Sequence, residues 1–284
     1  MSYVSMKEML QDARNGGYAV GAFNIVNHLT AQAAVHAASQ LRSPVILQTS
    51  VSTVKQIGAE ELIAYLKIMA ERADVPVAVH LDHCTDPALV RKCVDLGWSS
   101  VMIDKSKDAF ETNLAETAAV VEYAEGHGVT VEGELGAIFG VEEDIVVAEG
   151  QSALADFDSS LKYVAETGID AFAPAIGTAH GLYKGEPKVE FELFATLARN
   201  TPCPLVVHGG TGLAPDTFHR LIELGAAKIN VSTAIKIAYC GAMHRYTNDH
   251  PDENNPLKLD KAAFDSTKTC VMDHIELFGC AGRA

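Results

Sequence analysis

Eight short apolar runs punctuate the chain, at residues 19–23, 45–48, 77–81, 101–103, 129–132, 171–176, 205–207 and 229–231. Continuous rather than alternating hydrophobicity in runs this short marks strands covered on both faces, as strands of a parallel sheet are. Helical stretches separate them. Ser5-Met6-Lys7-Glu8 has the form of a capping box. Asp86-Pro87 and Pro215-Asp216 open helices that Gly97 and Gly225 close. Residues 30–41 and 60–72 read as alanine- and leucine-rich helices with polar faces, and residues 264–278 as a C-terminal helix stopped by Gly279.

Eight strand–helix units without a linker or a shift in composition predict the α/β class, as a (β/α)8 TIM barrel. Residues 1–284 are read as one domain, with the last helix as a C-terminal extension. An open doubly wound sheet is the alternative, but the first run is followed by Asn24-Ile25-Val26-Asn27, with no GxGxxG. A chain of 284 residues that is 48% hydrophobic can bury roughly three-quarters of its unfolded surface, which excludes disorder. No run approaches the ~20 apolar residues of a membrane span, and residues 1–14 lack a secretory apolar core.

Charge narrows the partners. The 22 Lys and Arg against 37 Asp and Glu give a net charge of −15, a field that repels nucleic acid and anionic lipid. A small phosphorylated substrate in a locally positive pocket remains compatible with it. The six cysteines contain no CxxC pair, and a chain of this length needs no staples, so the expectation is reduced thiols in the cytoplasm.

The polar residues gather at the C-terminal ends of the runs: Asn24; Thr49 and Ser50; Asp82 and His83; Asp104; Glu134; His180; His208; Asn230, Ser232 and Thr233. Barrel enzymes build their sites at that rim. The opposite ends carry Pro44, Pro76, Pro204 and Lys228, read as turn and capping positions. His83, His180 and His208 form a candidate catalytic metal set, because neutral imidazoles suit zinc and three protein ligands leave room for substrate. His80, two residues before Asp82, reads as an interior histidine. Asp104 and Glu134 are candidates either to hold a second cation or to orient the ligands. Of the run Glu142-Glu143-Asp144, residue types alone suggest a solvated loop. Two segments suit an anion: His208-Gly209-Gly210-Thr211-Gly212, and Asn230-Val231-Ser232-Thr233 at the start of a helix.

These segments together resemble the class II, metal-dependent ketose-bisphosphate aldolases, most closely the tagatose-bisphosphate and short fructose-bisphosphate branch. The likeness is carried by Val79-His80-Leu81-Asp82-His83, Val101-Met102-Ile103-Asp104, Gly133-Glu134-Leu135-Gly136, Ile176-Gly177-Thr178-Ala179-His180-Gly181, the two anion segments and Gly282-Arg283-Ala284. It implies Zn2+ on His83, His180 and His208, with Asp104 and Glu134 at positions for a second divalent or a monovalent cation. It implies Asp82 as catalytic acid/base and Glu142 as the residue exchanging the carbon-bound proton. Gly181, Gly209, Gly210, Thr211, Asn230, Val231, Ser232 and Thr233 then correspond to the dihydroxyacetone phosphate site, and Asn24 and Ser50 are added from the rim as substrate contacts. The resemblance also implies a homodimer or homotetramer.

One departure stands out. Where bisphosphate-cleaving relatives carry an arginine that reaches the distal phosphate, this chain reads Asn254-Asn255-Pro256-Leu257-Lys258. Leu257 cannot make a bidentate phosphate contact, so a distal end that is unphosphorylated or sulfonated is expected unless Lys258 substitutes. A Schiff-base aldolase would need a desolvated lysine pointing into the barrel, and only Lys105 lies at the rim. A barrel metallohydrolase, an enediolate-forming epimerase and a non-catalytic sugar-phosphate binder are the competing readings.

Overall fold

A computed structural model describes residues 2–142, 145–147, 153–181 and 187–284, with the backbone alone at 139–142 and 145–147. The strands, in chain order, are β1 (Val20–Asn24), β2 (Val45–Ser50), β3 (Val77–Cys84), β4 (Ser100–Ile103), β5 (Thr130–Leu135) and β6 (Phe139–Glu142). They continue with β7 (Ile145–Val147), β8 (Ala171–Pro174), β9 (Ala179–His180), β10 (Leu205–Val207) and β11 (Ala226–Val231). The first helices are α1 (Met6–Gly16), α2 (His28–Leu41), α3 (Val51–Ile57), α4 (Ala59–Arg72), α5 (Pro87–Leu96) and α6 (Phe110–Glu125). The remainder are α7 (Phe157–Thr167), α8 (Phe191–Asn200), α9 (Pro215–Glu223), α10 (Thr233–Asp249) and α11 (Pro256–Leu277).

Eight strands close into a parallel barrel in the order β1, β2, β3, β4, β5, β8, β10, β11 and back to β1. Each corresponds to one of the eight apolar runs. The β-branched and alanine residues of these strands are buried on both faces, between the barrel interior and the surrounding helices. The expected fold class is therefore the observed one. Trp98, fully buried, ties two strands together: its Nε1 donates to Thr49 Oγ1 at 3.0 Å, and that hydroxyl donates to the His80 carbonyl. A second sheet of β7, β6 and β9 stands apart from the barrel. Apolar periodicity did not predict it, because its strands are only two to four residues long.

The end opposite the site is covered by α1. The Lys7 backbone N–H donates to Thr130 Oγ1, and the Arg14 guanidinium donates to the carbonyls of Ala198 and Pro202. At the C-terminus, α11 packs against α2 and α10 as the expected extension.

Three local readings need correction. Ser5 occupies the N-cap of α1, but its side chain makes no capping hydrogen bond. The last helix starts at Pro256 rather than near Phe264, because Asn255 accepts from the Leu257 N–H and Pro256 takes the first helical position. Lys228 is not a turn residue: β11 begins at Ala226, which places Lys228 within the strand and fully buried. Asp86 does cap α5, its carboxylate accepting from the Ala88 N–H at 2.9 Å with Pro87 following. Asp86→Ala should cost about 1 kcal/mol of stability and lower the melting temperature by roughly 2–4 °C, measured by thermal denaturation.

Candidate active site

The site is built on β3. Side chains alternate along a strand, so His80 and Asp82 share the inward face and His83 would ordinarily turn away. It does not. The pairing of β3 with β4 shifts between Leu81 and Cys84, and His83 sits at φ 45°, in the left-handed region. A non-glycine residue held there costs about 1–3 kcal/mol, and the result is that Asp82 and His83, consecutive in sequence, both reach the rim.

His83 meets two other imidazoles. His180 lies on β9 and His208 directly follows β10. Ring centroids are 5.0 Å apart for His83 and His180, 4.5 Å for His83 and His208, and 6.1 Å for His180 and His208. One nitrogen from each lies within 4.8 Å of the others, and all three residues are buried. The expected trio is thus brought together, although His180 reaches it from the outer sheet rather than from a barrel strand.

Carboxylates orient the rings. His83 Nδ1 lies 2.8 Å from Asp104 Oδ2, and the other Asp104 oxygen accepts from the Ser106 N–H and hydroxyl. Burial opposes the charge on Asp104, but His83 and Ser106 hold its carboxyl well below the usual range. An ionised Asp104 can only accept, so His83 donates from Nδ1 and its Nε2 is the atom available to a metal. His208 lies between two carboxylates, with Nε2 2.8 Å from Glu132 Oε1 and Nδ1 2.9 Å from Glu134 Oε2. Three buried imidazoles, two of them with carboxylate partners, are the donor set of a divalent ion of the zinc kind, and the site fits one. Asp104 and Glu134 also stand close enough to His83 to share an ion with it.

Asp82 is held from both sides. Asn24 Nδ2 donates to Oδ2 at 2.9 Å and Asn230 Nδ2 approaches Oδ1 at 3.4 Å. Gln48 Nε2 donates to Asn24 Oδ1 at 2.9 Å, so the Asn24 amide is engaged at both ends and serves Asp82. Ser50, the other rim residue read as a substrate contact, caps α3: its hydroxyl accepts from the Thr53 N–H.

The anion segments lie side by side. The Gly210 N–H donates to the Asn230 carbonyl at 3.1 Å, and Thr211 Oγ1 accepts from the Ala234 N–H. Gly209 has φ 72°, and a Cβ there would fall 2.3 Å from the Ala179 carbonyl oxygen, so only glycine fits. Ser232 stands at the N-cap of α10 without making a cap hydrogen bond, and its buried hydroxyl has no partner among the described residues. Val231 is a buried strand residue and offers only its backbone, Thr233 opens α10, and Gly181 follows His180 at φ 87°. The backbone of Glu142 ends β6, but its side chain, with all of Glu143 and Asp144, lies outside the described residues.

Three residues beneath the rim escaped the sequence reading. Glu132, Lys228 and Gln48 are fully buried in strands that looked apolar. The signal was a charge or an amide inside an otherwise hydrophobic run. Lys228 does point into the barrel, but its Nζ pairs with Glu132 at 2.8 Å and is engaged there. His80 is the expected interior histidine: Nδ1 lies 2.7 Å from Ser100 Oγ, and burial together with Lys228 holds the ring well below its usual pKa. Leu257 is 73% exposed, and Lys258 forms a close ion pair with Glu253.

The arrangement is that of a parallel barrel with three histidines at one rim that can hold a metal ion, a carboxylate held between two amides, and two glycine- and hydroxyl-bearing loops at the same rim. The family model described as "Fructose-bisphosphate aldolase class-II" matches residues 4–283, and the chain belongs to that family. It is an aldolase, a carbon–carbon lyase. Over the full lengths of both chains it is 40% identical to the D-tagatose-1,6-bisphosphate aldolase subunit GatY of Klebsiella oxytoca. It is 43% identical to the fructose-bisphosphate aldolase of Geobacillus stearothermophilus, covering all of this chain and 99% of that one. Among solved structures, the YdjI aldolase of Escherichia coli K12 superposes with a TM-score of 0.88 at 30% identity, over 99% of both chains.

Two of the imidazoles hold their protons tightly. Burial and the nearby His83 oppose a charge on His208, but Glu132 and Glu134 outweigh them and raise it to about 9. His83 is likewise raised well above its usual value by Asp82 and Asp104, against the pull of burial. A metal must displace those protons, so its affinity should climb as pH rises toward about 9. The expected slope between pH 6 and 8 is about tenfold per pH unit for each proton displaced. Calorimetric titration of the metal-free protein with zinc, in buffers of different ionisation enthalpy, measures the protons released.

Proposed function

We propose that the chain is a zinc-dependent aldolase that reversibly cleaves a ketose 1-phosphate, of the fructose or tagatose type, to dihydroxyacetone phosphate and an aldehyde. The observation that carries this reading is the convergence of three buried imidazoles beside Asp82, with two glycine- and hydroxyl-bearing segments at the same rim. His83, His180 and His208 would hold the ion, and Asp104 and Glu134 orient the rings or share a second cation. Zinc held there supplies electrophilic stabilisation for the negative charge that develops at the substrate carbonyl.

Asp82 takes the proton of the C4 hydroxyl as the C3–C4 bond breaks. Asn24 and Asn230 keep its carboxylate aimed, and Gln48 fixes Asn24. Glu142 returns a proton to the carbon of the dihydroxyacetone phosphate half. The C1 phosphate is received by backbone N–H groups of Gly181, Gly209 and residues 231–233, with the hydroxyls of Thr211, Ser232 and Thr233 and the dipole of α10, while Gly210 ties its loop to the Asn230 carbonyl. The unpartnered Ser232 hydroxyl supports this placement.

The distal end of the substrate is read from Leu257. An apolar, exposed side chain and a Lys258 already paired with Glu253 favour a sugar whose distal end lacks a phosphate, or carries a sulfonate. A homodimer or homotetramer in the cytoplasm completes the reading. Its support is the family likeness and six unbridged cysteines, and light scattering tests the assembly.

Asp82→Ala should lower kcat/KM by about 10²–10⁴-fold while zinc content stays at the wild-type level. Removing zinc with a chelator should abolish triose phosphate release. Survival of activity without zinc, combined with inactivation by borohydride in the presence of substrate, would overturn the assignment. A comparison of kcat/KM for fructose 1,6-bisphosphate, tagatose 1,6-bisphosphate, fructose 1-phosphate and 6-sulfofructose 1-phosphate tests the Leu257 argument. It fails if either bisphosphate far exceeds the other two.

A further inference from the structure

Beneath the histidines lies a charged pair that the chemistry above does not use. Lys228 and Glu132 are both completely buried, with Nζ 2.8 Å from one carboxylate oxygen and 3.2 Å from the other. They come from β11 and β5, which are not neighbours: β10 and β8 lie between them in the barrel. The pair therefore spans the interior. Two residues further along each strand, on the same face, stand Asn230 and Glu134, which touch Asp82 and His208. Glu132 itself reaches upward to His208 Nε2 at 2.8 Å.

Hydrophobic side chains would fill this space at lower cost, since bringing an ammonium and a carboxylate out of water costs several kcal/mol per ion before their attraction is counted. A carboxylate at this place does what an apolar residue cannot: it accepts the Nε2 proton of His208 and so commits Nδ1 to the rim. Its aim depends on what holds it from below, and the ammonium of Lys228 is placed to do that.

We propose that Lys228 is a positioning residue for the metal centre: its ion pair with Glu132 braces the carboxylate that turns His208 Nδ1 toward the ion. Lys228 touches neither metal nor substrate and acts through Glu132. The inference rests on the reading of His83, His180 and His208 as the zinc ligands.

Lys228→Met tests it, with Val90→Ala, a core truncation on α5, as the control for plain destabilisation. Zinc affinity is measured by competition with a chromophoric chelator, and ligand geometry by the visible spectrum of the cobalt(II)-substituted protein. Lys228→Met should weaken zinc binding by about 10–100-fold and alter the cobalt spectrum, whereas Val90→Ala should change neither. A Lys228→Met protein that is only less heat-stable, with wild-type zinc affinity and cobalt spectrum, overturns the proposal.

Should the lone Glu132 charge prevent folding, Lys228→Met combined with Glu132→Gln leaves no unpaired ion. That double variant should show the same loss, and wild-type zinc affinity in it overturns the proposal. Nitrogen-15 spectra of the zinc-loaded wild type give a reading that needs no variant. Nε2 of His208 should carry a slowly exchanging proton, and zinc bound at Nε2 would overturn the proposal. A His180→Ala protein that binds zinc with wild-type affinity overturns the zinc reading and the brace with it, whereas wild-type affinity in Lys228→Met alone overturns only the brace.

Discussion

Four carboxylates, those of Asp82, Asp104, Glu132 and Glu134, are buried at one end of the barrel among three imidazoles. Each such anion costs several kcal/mol to take out of water unless positive charge meets it. Lys228 answers Glu132, and the imidazoles answer Asp104 and Glu134. The protein tolerates so much negative charge because the site is organised around a cation, whether protons on His83 and His208 or a divalent ion in their place. The geometry of the rest follows from that demand: the bent end of β3, the amides around Asp82 and the glycine loops that let backbone approach the same spot.

The barrel supplies these groups in layers. Alternation along β5 puts Glu132 below and Glu134 above, and alternation along β11 does the same with Lys228 and Asn230. Glu134 and Asn230 at the rim thus each rest on another polar group two residues earlier in the same strand, as Asp82 does on His80. The apolar residues between them face the helices and close the core.

Much of this was legible in the residues. Doubly covered strands leave continuous apolar runs, so all eight barrel strands were found, and the polar residues at their C-terminal ends marked the rim. The histidine trio followed from chemistry and position. What escaped was whatever apolar periodicity does not encode. Lys228 was misplaced because its strand begins three residues earlier than its β-branched portion, and Glu132 looked like the end of a strand that in fact runs on to Leu135. The roles of Asn24 and Ser50 depend on side-chain partners, Asp82 and the α3 N–H groups, that no local pattern reveals. The outer sheet was missed because β6 and β7 are short and flank a run of acids.

That outer sheet divides the histidine trio. His83 and His208 are anchored by closed-barrel strands, whereas His180 stands on β9, which pairs with β6 in the outer sheet. For anyone transplanting this centre onto another eight-stranded scaffold, copying the barrel alone would carry over two of the three imidazoles. The ribbon must travel with it as a separate part, because it delivers the third ring on β9 and carries Glu142 at the end of β6.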